Sequence, residues 1–345
     1  MSDTNTPTAG WAWPGLGPGP VTLRVSVIDR CQNRCVYCIP AGGVELFAHR
    51  DILRYEEILR LVKLLRDGPG LGKVHLTGGE PLLRRGLGEL VRMLAEAGVV
   101  DIALTTNGLA LAQMAAELKR AGLRRVNVSI DTLRPATYTK LTGNTIVDGP
   151  AKISRGIDAA LAAGLAVKLN AIMLRGLNDA EAGALVRLAV SRGLMLRFIE
   201  LMPFGPAADS HEQLFVSSAE TLENLRRDAT LQCESLRPIA PKLGSSTRPF
   251  SLKTADGLAG RIGVISSTTQ PFCRECNRVR LTAAGDLIGC LARSSKGVNI
   301  RDLLRDETDE QRVSQKIRQA VQDVLTHKRT NKNFDQAKNM AQVGG

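Results

Sequence analysis

Residues 21–38 read VTLRVSVIDRCQNRCVYC. The first eight alternate and are rich in β-branched side chains, which predicts a strand over 21–28. Three cysteines then fall within eight residues, at Cys31, Cys35 and Cys38, and the next, Cys233, lies nearly two hundred residues away. The spacing C-x3-C-x2-C is one ligand short of a tetrahedral zinc site, and it differs from the four-cysteine ferredoxin pattern. A [4Fe–4S] cluster held by three thiolates leaves one iron with an open coordination position, and open positions belong to catalytic metal sites. The expected fourth ligand is a small molecule with an amine and a carboxylate. A zinc site completed by a distant His or Cys is the alternative reading.

Outward from this strand the chain keeps a rhythm. YEEILRLVKLLRDG reads as a helix, KVHLTGG as a strand, RRGLGELVRMLAEAG as a helix and DIALTTNG as a strand. The same alternation runs on through RVNVSIDT and VKLNAIML to LRFIELMP. Helices end repeatedly at glycine, at Gly68, Gly98, Gly122, Gly164 and Gly193, where a left-handed residue is expected. Six β-α units imply a parallel sheet with helices outside. Six units in about 180 residues predict an α/β fold, an incomplete (β/α)6 TIM-like barrel, with its chemistry at the C-terminal ends of the strands. Polar residues collect at those ends: Asp29, Glu80, Asn107, Asp131, Asn170 and Glu200.

The rhythm breaks after Pro203. Residues 204–247 read as polar and irregular, with one helix near 218–228. RPFSLKT, GRIGVISS and NRVRLTAAGDLIGCL read as short strands with turns at Asp256-Gly257 and Gly285-Asp286. Residues 300–328 are a charged helical stretch. The expected organisation is a flexible leader over 1–20, a partial barrel over 21–203 and an α+β C-terminal region over 204–345. No apolar run reaches the roughly 18 residues that span a bilayer, and the leader lacks the pattern of a signal peptide. A cytoplasmic, reducing location is expected, so the seven cysteines are not read as disulfides. A net charge of +12 suggests an anionic partner, yet no Lys/Arg run reaches five residues and aromatics are only 3%. A stacking surface for nucleic acid is therefore weakly supported.

A second set of three cysteines lies in FCRECNRVRLTAAGDLIGCL: Cys273, Cys276 and Cys290. Arg278 and Arg280 stand beside it on an expected strand, pointing to one face. One reading is a zinc ribbon completed by Cys233. The other is a second [4Fe–4S] cluster facing a substrate, with guanidiniums for phosphate or carboxylate. On its own, Cys233 reads as a buried or surface thiol.

CQNRCVYC after a strand, with HLTGGEP on the next, resembles the radical S-adenosylmethionine superfamily. Together with LTTNGL, VNVSIDTL, VKLN, LRFIELMP, FCRECNRVRLT…GC and a terminal Gly-Gly, it resembles the molybdenum cofactor biosynthesis protein A family, the GTP 3′,8-cyclases. The resemblance covers about residues 21–345. It implies a radical S-adenosylmethionine partial barrel, a C-terminal extension carrying a second iron–sulfur cluster, and cyclisation of GTP to (8S)-3′,8-cyclo-7,8-dihydroguanosine 5′-triphosphate, the first step of molybdenum cofactor biosynthesis. Two [4Fe–4S] clusters and S-adenosylmethionine are implied as cofactors, on Cys31, Cys35 and Cys38 and on Cys273, Cys276 and Cys290. The resemblance places S-adenosylmethionine against Tyr37 (its backbone), Gly79, Ser129 and Met202. It places GTP against Arg24, Thr105, Lys168, Arg278, Val279 and Arg280. Gly344 and Gly345 match a tail that reaches the active site and assists the radical step.

The chain departs from the family at His75, two residues before TGGE, where Arg is common; a neutral imidazole supplies no fixed charge there, and Lys73 is a neighbour able to compensate. HKRTNKNF near the end replaces a Lys-Pro…His pattern. The implied reaction begins with loss of a ribose C3′ hydrogen, which no base of ordinary pKa removes, and continues with attack of C3′ on guanine C8. Implied partners are GTP, an electron donor and the next enzyme of the pathway, with no stable nucleic acid, no membrane, and a monomer or homodimer. Two alternatives remain: a radical S-adenosylmethionine peptide maturase with an auxiliary cluster, and a non-enzymatic zinc or iron–sulfur protein that binds nucleic acid.

Overall fold

The computed structural model describes residues 16, 21–68, 70–292, 297–326, 328 and 340–344. Most of the expected leader, and Gly345, lie outside them. The rhythm seen in the sequence is realised as β1 (Thr22–Ser26), α1 (Tyr55–Asp67), β2 (Lys73–Thr77), α2 (Leu87–Glu96), β3 (Ile102–Thr106), α3 (Leu111–Ala121) and β4 (Arg125–Ser129). It continues through α4 (Pro135–Thr142), α5 (Gly149–Ala162), β5 (Ala166–Ala171), α6 (Ala182–Val190) and β6 (Met195–Ile199). After these come α7 (Ala207–Leu214), α8 (Ser218–Arg227), β7 (Cys233–Pro238), β8 (Arg248–Thr254) and β9 (Ala259–Ile265). The remainder is β10 (Arg278–Leu281), β11 (Asp286–Ile288), β12 (Val298–Asn299), α9 (Arg301–Asp306), α10 (Glu310–Thr326) and α11 (Met340–Val343).

One sheet carries all of these strands, in the order β12-β11-β10-β1-β2-β3-β4-β5-β6-β9-β8-β7. The parallel run is longer than the six strands expected. β9 pairs parallel with β6, Phe198 opposite Val264, and β10 pairs parallel with β1, Arg24 opposite Arg280. The C-terminal region thus adds three strands to each edge of the six, the innermost of each three parallel, and the sheet does not close on itself. Parallel pairing between strands so distant in sequence leaves no local signal, because the register is set by tertiary contact alone. Residues 204–247 also hold more order than expected, namely α7 and β7.

Strands β1, β2 and β4 each have one aliphatic face and one polar face. Leu23 and Val25, Val74 and Leu76, and Val126 and Val128 are buried in the main core under the helices. Their neighbours Arg24, His75 and Asn127 line a cavity inside the curve of the sheet. Period-two alternation sends the two sets to opposite faces. Burial of each large aliphatic side chain is worth about 1.5–3 kcal/mol, so the outer face stabilises the fold while the inner face stays free for polar chemistry. Four of the five helix-ending glycines are left-handed, as at Gly122 (φ 116°); Gly68 is not, with φ −90°, and the left-handed residue of that turn is Gly70.

Candidate functional site

The cavity has a volume of roughly 780 Å³ and reaches from the first cysteine segment to the second. At one end it is lined by Cys31, Cys35 and Cys38, together with Tyr37, Gly79, Ser129 and Met202. The cysteine loop is held from α4 and the loop after it. Arg34 N donates to Thr142 O at 2.6 Å and Val36 N to Leu141 O at 2.9 Å. Asn144 Nδ2 donates to Asn33 Oδ1 at 2.7 Å. The Tyr37 hydroxyl donates to Asp131 Oδ2 at 2.6 Å, tying the loop to the end of β4. The phenol is thus a tether, a role the sequence did not reveal.

The acids at the strand ends are braces. Glu80 accepts from Leu82 N, Thr106 Oγ1 and Asn107 N. Burial pushes its carboxyl up to about 7 against those hydrogen bonds. Asn107, placed by Glu80, directs its Nδ2 toward Cys31 Sγ at 3.9 Å. Glu200 accepts from the backbone of Ser218, Thr268 and Thr269. Gly79 is required by close packing: a Cβ there would stand 2.3 Å from Arg30 O. The Gly-Gly turn therefore seats HLTGGEP directly against the backbone entering the cysteine loop.

At the other end Cys273, Cys276 and Cys290 line the cavity. Lys328 Nζ donates to Arg278 O at 3.0 Å and to Gly289 O at 3.4 Å, bridging β10 and the turn before Cys290. Arg278 and Arg280 both face inward, as the strand period requires. Arg278 Nη2 donates to Ser246 Oγ at 2.6 Å and its guanidinium lies 5.2 Å from the Phe272 ring centroid. Arg280 Nη1 donates to Gly344 O at 2.6 Å. Gly344 is left-handed, and a Cβ on it would stand 2.8 Å from Ser26 Cβ. Val279 behaves differently from the other predicted substrate residues. Its side chain is fully buried in the outer core, so only its backbone is available to a ligand.

Between the ends lies a cationic layer. Arg24, Thr105, Lys168 and His75 line it, joined by Lys73, Asn127 and Arg197. Eight Lys or Arg residues line the cavity against three carboxylates. All three are engaged: Glu80 and Asp131 as above, and Asp101 with Arg125. Burial, then Arg125 and other cations, lowers Lys73 to about 7. Burial and Arg278 lower both Arg197 and Arg280 to about 10. Burial, with Arg24 and Lys73, holds His75 well below its usual value and therefore neutral. A cluster of cations carrying this cost fits a polyanion. Arg197 was legible in hindsight as a charge at an inward position of LRFIE, and Asn127 likewise in RVNVS. Ser246 and Lys328 sit in irregular segments with no such period.

The donor set at each end of the cavity is three cysteines, the number a [4Fe–4S] cluster with one open iron would use. None of the seven cysteines is in a disulfide. Among the described residues no three His, Cys, Asp or Glu side chains converge as one metal ion needs. A four-iron cluster takes each thiolate on a different iron, so three cysteines at each end would leave one iron of each cluster open. Cys233 lies on β7, the sheet's far edge strand, paired with Thr254. It packs against the outer core and does not line the cavity, so it completes no zinc ribbon with the second set.

Comparison with known proteins agrees with this geometry. A model of the radical SAM superfamily matches residues 25–189, and one described as molybdenum cofactor synthesis C matches residues 194–333. A GTP 3′,8-cyclase from Rhodopirellula baltica is 41% identical over 87% of this chain and 82% of its own length. Another from Pelotomaculum thermopropionicum is 40% identical over 94% of this chain and 97% of its own. Among solved structures, Streptococcus suis SuiB bound to precursor peptide SuiA aligns with a TM-score of 0.55 at 14% identity, covering 84% of this chain and 61% of that one. That likeness is one of fold. The identities over nearly the whole length, and the match of both family models, are decisive over the peptide-maturase and nucleic-acid readings: the chain belongs to the GTP 3′,8-cyclase family of radical S-adenosylmethionine enzymes.

Proposed function

We propose that this chain cyclises GTP to (8S)-3′,8-cyclo-7,8-dihydroguanosine 5′-triphosphate, the first step of molybdenum cofactor biosynthesis. The observation that carries the reading is one cavity with three cysteines at each end and a surplus of cations between them. Cys31, Cys35 and Cys38 hold one [4Fe–4S] cluster, and Cys273, Cys276 and Cys290 hold the other. When bound, the first cluster and S-adenosylmethionine supply the carbon radical that a non-acidic C3′–H demands.

The protein's own part is placement. Tyr37 (backbone), Gly79, Ser129 and Met202 seat S-adenosylmethionine beside the first cysteines. Arg24, Lys168, Arg278 and Arg280, with Lys73 and Arg197, take the triphosphate. Thr105, His75 and the Val279 backbone contact the nucleoside. The Gly344-Gly345 tail assists the radical step. Orientation of the ribose toward the first cluster, with water excluded, is what these contacts contribute. The working division remains a barrel over 21–203 and a substrate-binding region over 204–345. A cytoplasmic protein, monomer or homodimer, fed by an electron donor and handing its product to the next enzyme of the pathway, completes the reading. Among the described residues no helix is long and apolar enough to cross a membrane.

Iron and sulfide analysis of anaerobically purified protein, followed by incubation with dithionite, S-adenosylmethionine and GTP, tests it. About eight irons per chain, 5′-deoxyadenosine and a cyclised nucleotide are expected. One zinc per chain, with no cleavage of S-adenosylmethionine, would overturn it.

A further inference from the structure

Asn127, on β4, sits in the middle of a hydrogen-bonded layer crossing the cavity. Arg197 Nη2 donates to Asn127 Oδ1 at 2.8 Å. Asn127 Nδ2 stands 3.3 Å from both Thr105 Oγ1 and His75 Nε2. Thr105 Oγ1 and His75 Nε2 are 2.7 Å apart. The direction of this network follows from its first member. A guanidinium only donates, so the Asn127 atom facing Arg197 is the carbonyl oxygen. The atom facing Thr105 and His75 is then the amide nitrogen, which also only donates. Asn127 Nδ2, 3.3 Å from His75 Nε2, is placed to donate to it, with the Thr105 hydroxyl beside both able to give or to take a hydrogen bond. Donation from Asn127 to Nε2 puts the ring proton on Nδ1.

We propose that Asn127 is a positioning residue of the substrate cavity, relaying the fixed polarity of Arg197 so that His75 is held as its Nδ1–H tautomer. His75 is 7% exposed and lines the cavity, so the imidazole enters the site as a directional hydrogen-bond donor without a charge. That suits a carbonyl or ring-nitrogen acceptor of the nucleobase better than a phosphate. The tautomer is a property of the protein alone, whereas the assignment to the nucleobase rests on the GTP reading above.

Long-range ¹H–¹⁵N correlation spectra of the oxidised holoenzyme labelled at histidine read the tautomer directly. The chain has four histidines, and His75→Gln identifies the resonance. The wild type is expected to show Nδ1–H. Asn127→Asp replaces the donor by an acceptor and is expected to move the proton to Nε2 or to add a second one. Asn127→Ala is expected to raise KM for GTP about 3- to 10-fold, the scale of one lost hydrogen bond, with iron content unchanged. A wild-type Nε2–H signal overturns the proposal even if no variant folds, as does an Asn127→Asp spectrum with the Nδ1–H signal unmoved. A normal tautomer in a protein that fails to cyclise GTP would instead count against the function reading alone.

Discussion

The two three-cysteine segments face the same cavity but are held by opposite means. The first is a tight loop pinned by backbone hydrogen bonds from the α4 region and by the Tyr37–Asp131 contact, with Glu80 fixing Asn107 above it. The second rests on cations: Lys328 bridges its strands, and Arg278 and Arg280 border it with bonds to Ser246 and to Gly344. The first end is pinned mainly by hydrogen bonds within the protein, although Asp29 Oδ1, Gln32 Oε1 and Asn170 Oδ1 are buried there without one. The second gathers positive charge that a bound anion must balance. One end is fixed mainly by the fold's own hydrogen bonds and the other gathers charge suited to an anionic ligand, which is what this contrast teaches.

The largest effect separates the ends outright. Cys31→Ala, Cys35→Ala or Cys38→Ala is expected to abolish 5′-deoxyadenosine formation under dithionite, whereas Cys273→Ala keeps some uncoupled cleavage. Undiminished cleavage by Cys35→Ala would erase the distinction. Next comes the tail. Deleting Gly344 and Gly345 is expected to collapse cyclised product while leaving both clusters and GTP binding nearly intact. Ordering the tail costs on the order of 1–2 kcal/mol per residue, which the Arg280–Gly344 bond helps to offset. A synthetic peptide ending in NMAQVGG is expected to restore part of the activity, and a deletion variant turning over normally would remove the tail from the site.

Arg278 and Arg280 sharpen the second end. Loss of a charge-assisted hydrogen bond costs about 1.5–3 kcal/mol, so each Ala variant is expected to bind GTP roughly 10- to 150-fold more weakly. Binding of guanosine should fall less if they hold phosphates. Only Arg280 bonds Gly344, so Arg280→Ala is expected to lose turnover beyond its loss of affinity and Arg278→Ala is not. Equal losses for guanosine and GTP, or matched turnover defects, would show that the two arginines are not divided in this way.

How much of this was legible in the sequence follows from range. Local periodicity revealed the six β-α units, the helix α8 and the hairpin turns, because each is a property of neighbouring residues. The inward face of β10 was legible too, which put Arg278 and Arg280 on one side of it, whereas Arg24 came from the family resemblance. What stayed hidden needed tertiary contact: the parallel docking of β9 and β10 on the two sheet edges and the use of Tyr37 as a tether. Lys73 and Asn127 were on the right face of their strands, but a face shared by many residues does not say which of them meet.

The smallest expected effect is a pH dependence confined to the cationic layer. Lys73 falls to about 7, by burial first and then by Arg125, Lys168, Arg197 and Arg24. Its unfolded value is near 10.5. As pH rises from about 7 toward 10, the unfolded chain keeps a proton that the folded chain has released, so this group makes the empty protein more stable with rising pH. Binding runs the other way. A polyphosphate favours the ammonium, raises its pKa in the complex and draws in a proton, so affinity should fall as pH climbs above about 7, by at most tenfold per unit for one group. Inorganic triphosphate titrated between about pH 6.5 and 8.5 isolates the effect from the nucleobase. Phosphate ionisation contributes equally to wild type and Lys73→Met, so the difference between their slopes belongs to Lys73. Lys73→Arg, which keeps its charge throughout, is expected to bind tightly with the slope removed. Parallel slopes in all three proteins would place the titrating group elsewhere in the cavity.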